Sequence, residues 1–286
     1  MYQTTFSDGT TVYALQTGTV SIKQTHFQHN GPAWLRYAKL MLDPRWTADL
    51  PIWVWLLKTP TGTYLVDTGE NIRVFDTDYF GNDTVNRFIN RRILRLRVRP
   101  EEEVAFQLAQ LGLTADDIDA VILTHLHLDH TDGLRFFPNA EVLVAKEQWE
   151  KPYGAAKTTF PAWFSPKLIE YTATDDSFGR AYELAAGLRI VPTPGHTFGH
   201  QSVTLERDGV TVLLAGDASF TAEQMLSGQR GGVVIDWATA ARTLQTLRQF
   251  VTQAPTIYLP SHDPQAGIRL AERQITRPAE PSLPRN

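Results

Sequence analysis

The sequence predicts an α/β protein, because short apolar runs typical of strands alternate with segments of helical periodicity. Residues 120–123 form such a run, short and apolar enough to be a buried strand. Ahead of this strand, Val104, Leu108 and Leu111 give one apolar face to a helix that begins at Pro100. At 286 residues the chain is long enough to bury a large core, either as one α/β domain or as two small ones.

Further short strands are expected at residues 12–15, 20–22, 51–57, 64–66, 141–144, 188–191, 203–205, 210–214 and 256–259. The first two are expected to be separated by a turn at Gly18, and the turn at residues 59–62 predicts a hairpin. The proline-rich residues 276–286 are expected to form a flexible tail.

Composition and charge argue against several classes of function. The formal net charge of −4 gives no general attraction to nucleic acid. Six arginines lie within residues 87–99, but glutamates at 101–103 follow them at once, which favours a solvated helix face or an intersubunit ion network. The chain contains no cysteine, which removes disulfides and thiolate-ligated metal centres and leaves the redox compartment undetermined.

The expected location is the cytoplasm. The N-terminal residues lack a basic patch followed by an apolar stretch, so no signal peptide is expected. The longest apolar run, residues 52–57, is far too short to span a bilayer. We therefore expect no membrane partner and no nucleic-acid partner, and the tryptophans and the arginine run are compatible with a homodimer.

The most informative stretch is residues 124–130, Thr-His-Leu-His-Leu-Asp-His, which directly follows a predicted strand. Imidazole and carboxylate together suit zinc, iron, manganese or cobalt. His125 and His127 are two residues apart, so at a strand end their side chains point the same way and can share one ion. Asp129 and His130 fall on the following turn and can reach a second ion. A polar loop of satisfied histidines is the alternative, but four ligand side chains this dense favour a metal site.

Ligand-type residues recur after other short strands. His196, Asp217 and His262 each follow an apolar run. Because such positions converge on one edge of a sheet system, we expect them to meet the histidine motif. Asp67 also follows a strand, where it either accepts the second N–H of a ligating imidazole or caps a turn; the sequence leaves both interpretations open.

Residues 26–50 are irregular and rich in aromatic side chains. A segment of this kind either shapes a binding pocket or simply packs on the core, and the sequence does not decide between the two. His26 and His29 lie in it, but lone histidines in loops usually have structural roles or none, so we do not predict them as ligands.

Together these motifs resemble the metallo-β-lactamase superfamily. The matching segments occur in family order and span most of the chain: residues 67–69, 124–130, 193–196, 199–200, 216–217 and 261–263. The resemblance implies a four-layer αβ/βα sandwich, in a single hydrolase domain over residues 1–275, with a dinuclear metal site at one edge of two central sheets.

The resemblance also implies a role for each motif residue. One divalent ion is expected among His125, His127 and His196, and the other among Asp129, His130 and His262, with Asp217 bridging the two. Asp67 and His200 are expected to contact these ligand residues without binding a metal ion themselves. Zinc is the expected metal, with iron, manganese or cobalt as alternatives.

Within the superfamily, the chain looks most like the N-acyl-homoserine lactonase group, whose activity is quorum quenching. This rests on residues 110–113 and 116–119 before the motif, on residues 216–220, and on the aromatic N-terminal segment. Members of that group usually carry a tyrosine three residues after the bridging aspartate, where it contacts the substrate carbonyl. Here that position is Phe220, which has no hydroxyl.

The implied function is the hydrolytic opening of a lactone or related ester by a metal-bridging hydroxide, with Asp129 passing the proton of the water to the leaving group. Phe220, Phe27 and Trp34 are predicted to contact the substrate, in a channel for an acyl chain lined by aromatic residues. Phe220 keeps alternatives open: a thioesterase of the glyoxalase II type, or a phosphoester or organophosphate hydrolase. A non-catalytic, metal-stabilised ligand-binding protein is a third interpretation.

Overall fold

The computed structural model describes residues 1–277, in which two β-sheets pack face to face. The larger sheet contains β1 (Tyr2–Thr5), β2 (Thr11–Ile22), β3 (Leu50–Thr59), β4 (Gly62–Val66), β5 (Leu94–Arg97), β6 (Ala120–Ile122), β7 (Glu141–Ala145) and β8 (Lys167–Ile169). Its order is β1-β2-β3-β4-β6-β7-β8, and β5 pairs with residues 19–22 of β2. From β4 to β8 the neighbouring strands of this order are parallel.

The smaller sheet contains β9 (Thr172–Ala173), β10 (Arg180–Ala185), β11 (Leu188–Pro192), β12 (Gln201–Arg207), β13 (Val210–Gly216) and β14 (Thr256–Pro260). Its order is β14-β13-β12-β11-β10-β9. Only the pair of β13 and β14 is parallel among the pairs of this sheet within residues 1–277.

The helices are α1 (Gln24–Phe27), α2 (Arg36–Leu42), α3 (Thr84–Ile93), α4 (Val104–Gln110), α5 (Leu128–Thr131), α6 (Lys146–Glu150), α7 (Ala222–Ser227), α8 (Trp237–Gln253) and α9 (Ala266–Ala271). Within residues 1–277 none of them combines the length and the apolar character needed to cross a membrane.

Both sheets contribute to the apolar core that holds them together. Trp55 and Ile122 of the larger sheet and Leu214 of the smaller sheet lie in it, fully buried. On the outer face of the larger sheet, α4 packs Val104 and Leu108 into a second buried cluster. On the outer face of the smaller sheet, α7 and α8 form a third. Helices, sheet, sheet and helices are the layers of the expected sandwich, so the predicted fold class is confirmed.

One expectation for the N-terminal strands is wrong. Residues 11–22 form a single strand, and Gly18 is not a turn between two. The register of β2 against β3 shifts between Gln16 and Thr19, which is a β-bulge. Gly18 lies in this bulge with φ of 113°, and a Cβ there would lie 2.6 Å from the carbonyl oxygen of Arg97. The glycine therefore permits a bend and the close approach of β5, not a chain reversal.

Thr276, the first residue of the predicted tail, makes two hydrogen bonds with β14. The Thr276 N–H donates to the Thr256 carbonyl at 2.8 Å, and Thr276 Oγ1 accepts from the Tyr258 N–H at 3.3 Å. The first residue of the predicted tail is thus bound to β14. The remainder of that prediction, residues 278–286, lies outside the described residues.

Strand ends position the site at one edge of the two sheets. β4 ends one residue before Asp67, and its parallel neighbour β6 ends shortly before the histidine motif. β13 ends at Gly216, and its parallel neighbour β14 ends two residues before His262. Because the carboxyl ends of parallel neighbours lie side by side, each pair brings two site segments together.

We expect Leu214→Ala to lower the free energy of unfolding by about 2–5 kcal/mol, because Leu214 is fully buried between the sheets and its removal leaves a cavity. Leu42→Ala is the matched control, since that leucine is 77% exposed and should change stability by less than about 0.5 kcal/mol. Urea unfolding of both variants measures the difference. Equal effects would contradict the placement of Leu214 in the inter-sheet core.

Candidate metal centre

The structure brings together all seven side chains for which the sequence predicted a metal-ligand role. They form three overlapping groups, and within each group the ligand atoms lie within 4.8 Å of one another. The groups are His125, His127 and His196; His125, His130 and Asp217; and Asp129, His130 and His262. Which ion each group would hold stays a prediction.

Three imidazole nitrogens converge in the first half of the cluster. His127 Nδ1 lies 2.9 Å from His125 Nε2 and 2.9 Å from His196 Nε2. His127 turns Nδ1 to its neighbours while its Nε2 faces Gly154, where a Cβ would lie only 2.4 Å away. One proton cannot satisfy three converging nitrogens, whereas one divalent cation can.

The second half of the cluster contains the carboxylates. Asp129 Oδ2 lies 3.3 Å from His262 Nε2, and Asp129 Oδ1 lies 3.8 Å from His130 Nε2. Asp217 reaches both halves: its Oδ1 lies 3.3 Å from His262 Nε2, and its Oδ2 lies 3.5 Å from His196 Nε2. A carboxylate with one oxygen facing each half has the geometry of a bridging ligand.

Two unpaired polar atoms test whether the residues fit a metal. His130 Nε2 and Asp217 Oδ1 are buried and have no hydrogen-bond partner within residues 1–277, although they lie 3.4 Å apart. Leaving buried polar atoms unpaired costs about 1–3 kcal/mol each. A cation between them would satisfy both, so the donor set fits divalent metal ions with nitrogen and oxygen ligands.

Hydrogen bonds behind the ligands fix which nitrogen is free for a metal. Asp67 Oδ2 lies 2.8 Å from His130 Nδ1, which leaves His130 Nε2 directed into the cluster. Asp67 also accepts from the Thr124 N–H at 2.7 Å. Of the two interpretations of Asp67, this geometry favours the acceptor for an imidazole. Its backbone has φ of 62°, an uncommon conformation for a residue with a side chain.

His200 does not join the three ligand groups but holds the chain beside them. The Asp217 N–H donates to His200 Nε2 at 3.0 Å, so His200 Nδ1 carries the proton, and it lies 2.9 Å from Thr193 Oγ1. Similarly, His262 Nδ1 lies 2.9 Å from the carbonyl oxygen of Pro51, which leaves His262 Nε2 for the cluster. Each of these contacts sets a tautomer and an orientation.

Burial and charge divide the histidines into two kinds. Burial lowers the pKa of His127 to about 4, and it lowers the pKa of His125 and of His196 well below the usual range. Burial also opposes protonation of His262, but Asp217 and Asp129 outweigh it and raise its pKa to about 10. The pKa of His130 is raised in the same way, against burial, by Asp67 and Asp217. The three histidines of the first half are therefore neutral at pH 7. His130 and His262 in the second half are protonated.

A cavity of about 570 Å³ opens over the cluster. Ligands from both halves form its floor, and its walls are mainly apolar side chains from α2, α3 and the segment before α8. Phe220 lines it and is only 4% exposed. Phe27 lies behind that wall and stacks on Phe220 with ring centroids 5.9 Å apart.

Trp34 does not line this cavity. Its side chain is 78% exposed, because the turn of residues 33–35 directs it to solvent. The expectation that Trp34 contacts the substrate is not supported within this chain, because periodicity cannot tell on which side of an irregular segment a side chain falls. Tyr37 and Tyr153 line the cavity instead.

The position of His26 in the site was not predicted from the sequence. Its side chain is 7% exposed and lines the cavity beside the predicted ligands. Burial lowers its pKa to about 4, so the ring is neutral at pH 7. His29, by contrast, lies outside the cavity and contacts the carbonyl oxygen of Pro32 at 3.1 Å. The only signal in the sequence was the density of aromatic residues around His26.

Comparison with known proteins supports the resemblance to the N-acyl-homoserine lactonase group. AiiA, an N-acyl homoserine lactonase of Bacillus thuringiensis subsp. kurstaki, is 28% identical over 250 residues, covering 85% of this chain and 94% of the relative. AttM, an N-acyl homoserine lactonase of Rhizobium radiobacter, is 25% identical over 274 residues, covering 89% of this chain and 94% of the relative.

Solved structures agree with the fold. An N-acyl homoserine lactone hydrolase with N-hexanoyl-L-homoserine at its catalytic metal centre has a TM-score of 0.72 at 24% identity, covering 92% of this chain and 95% of that chain. AidC, a dizinc quorum-quenching lactonase, has a TM-score of 0.65 at 16% identity, covering 93% of this chain and 91% of that chain.

A match to a protein family decides to which superfamily the chain belongs. Residues 47–262, most of the chain and every predicted metal ligand, match the family described as the metallo-beta-lactamase superfamily. This match agrees with the four layers of the fold and with the cluster at the edge of the sheets. The chain therefore belongs to the metallo-β-lactamase superfamily and is a metal-dependent hydrolase.

Proposed function

We propose that this protein opens the lactone ring of N-acyl-homoserine lactones, and thereby quenches quorum sensing. The observation that carries this proposal is the cluster of seven ligand side chains at the floor of a mainly apolar cavity. Such a cavity suits a ligand with a polar ring and an apolar tail. Relatives that are N-acyl homoserine lactonases support the same substrate class.

Two divalent ions are the cofactors that the ligands fit, and zinc is the metal that we propose. His125, His127 and His196 would hold one ion, and Asp129, His130 and His262 the other, with Asp217 shared. Iron, manganese and cobalt accept the same ligands. When bound, paired divalent ions supply an acidified water and polarise a carbonyl group.

Asp129 is the residue that we assign to proton transfer. It lines the cavity, and its side chain is 14% exposed, so it can meet the substrate. Burial opposes its ionisation, but His130 and His262 outweigh burial and keep the pKa of Asp129 below its usual range. In its ionised form Asp129 accepts the proton of the attacking water. It then returns that proton to the ring oxygen as the bond between the carbonyl carbon and that oxygen breaks.

The apolar walls would hold the acyl chain. Leu40 and Met41 from α2 and Ile89 and Ile93 from α3 line the cavity together with Ile235. Burial of each additional methylene group contributes about 0.8 kcal/mol. Longer acyl chains should therefore bind more tightly until the cavity is filled.

Phe220 favours one further candidate function, the hydrolysis of thioesters or phosphoesters on the same ligands. Its side chain lines the cavity and offers no hydroxyl to a lactone carbonyl. The structurally similar hydrolase AbOPH, with a TM-score of 0.61 at 20% identity, shares the fold. The expected homodimer and the cytoplasmic location stay predictions.

Proton release by the metal-loaded protein tests the function. We expect turnover of N-acyl-homoserine lactones, with KM falling as the acyl chain lengthens, and no comparable turnover of a glutathione thioester or a phosphotriester. His127→Ala should abolish the reaction, because His127 contacts both other imidazoles of its half. Thioester or phosphotriester turnover without lactone turnover would replace the proposal, and a KM independent of chain length would contradict the acyl site.

Metal uptake at pH 7 should release protons, because His262 has a pKa of about 10 in the metal-free protein and must lose its proton to bind a metal. The apparent affinity of the second half should rise with pH up to about pH 10, and the first half should respond little above pH 5 because the pKa of His127 is about 4. Calorimetry in buffers of different ionisation enthalpy counts the protons. His262→Ala should release fewer; uptake without proton release by the unmodified protein would contradict this account.

A further inference from the structure

His26 is a polar side chain of the aromatic N-terminal segment that lines the cavity. It lines the cavity together with His127, Asp129 and Phe220. Its ring meets the Phe220 ring edge to face, with centroids 5.7 Å apart. Phe220 in turn lies 5.6 Å from the ring of His262. His26 therefore lies next to Phe220, the residue that offers no hydroxyl to a substrate carbonyl.

Hydrogen bonds hold the backbone of His26 and of its neighbour Thr25 in place. The His26 N–H donates to the Lys23 carbonyl at 2.8 Å, and its carbonyl accepts from the Gly232 N–H at 2.7 Å. Its neighbour Thr25 is fixed by Asp43, which accepts from the Thr25 N–H at 2.9 Å and from its hydroxyl at 2.7 Å. The backbone that carries the imidazole is therefore held in place before any ligand arrives.

The imidazole lacks a protein partner. Its Nδ1 is buried and has no hydrogen-bond partner within residues 1–277. Buried imidazoles normally find a partner, as His29 does in the same segment. An unpaired polar side chain that lines a cavity together with metal-ligand residues is typical of a group whose partner is the substrate.

We propose that His26 donates a hydrogen bond to the carbonyl oxygen of the lactone, in place of the hydroxyl that Phe220 lacks. The neutral ring carries one N–H, and it shares the cavity with the proton-transfer residue Asp129. As the water oxygen bonds to the carbonyl carbon, negative charge grows on the carbonyl oxygen. A preorganised donor stabilises that charge more than it stabilises the bound substrate. This inference rests on the proposed lactonase function.

The test compares His26→Leu, His26→Gln, Phe220→Tyr and the double variant His26→Leu/Phe220→Tyr. His26→Leu should lower kcat by roughly 10²-fold with little change in KM, the loss expected for one such donor. His26→Gln and the double variant should recover most of that loss, because an amide or a phenol again supplies a donor. Phe220→Tyr alone is the reference against which the double variant is compared, so that the effect of the added hydroxyl and the effect of the lost imidazole are measured separately.

Metal content and melting temperature separate a donor from a structural role. Both should be unchanged in His26→Leu, and His29→Leu, a matched loss of imidazole outside the cavity, should retain kcat. Unchanged kcat in His26→Leu, loss of metal from that variant, or failure of both donor-restoring variants would overturn the inference. Absence of lactone turnover by the unmodified protein would instead overturn the proposed function, so the two failures are distinguishable.

Discussion

The contact of Asp217 with histidines of both halves of the cluster is the interaction on which the site depends. Its two oxygens face His262 on one side and His196 on the other. Seven titratable side chains gathered in one buried cluster would be unfavourable without compensation, because burial opposes every charge among them. Divalent cations held by these side chains would offset that cost and would satisfy unpaired atoms such as His130 Nε2.

The sheets supply the geometry that this cluster needs. Parallel neighbours end side by side, so the ligand segments after β6, β13 and β14 start from fixed positions. Backbone groups and buried acids then fix each ring, as Asp67 does for His130 and the Pro51 carbonyl does for His262. The inter-sheet core thus affects function by fixing where the strands end. The ligand residues themselves lie in the loops that follow these strands.

Much of this arrangement could be predicted from the sequence, because metal-ligand residue types are few and here each of them follows a short apolar strand. The four layers and the convergence of the histidine motif with His196, Asp217 and His262 belong to that part. The bulge at Gly18 could not be predicted, since a glycine permits a turn and a bulge equally. The direction of His26 toward the cavity and that of Trp34 toward solvent could not be predicted either. These directions depend on contacts with distant segments such as Gly232.

Anomalous X-ray diffraction from crystals of the metal-loaded protein would locate the bound ions. We expect two metal peaks, on opposite sides of the Asp217 carboxylate. One peak should be bound by His125, His127 and His196, and the other by Asp129, His130 and His262. A single peak, or a second peak away from Asp217, would contradict a shared dinuclear site.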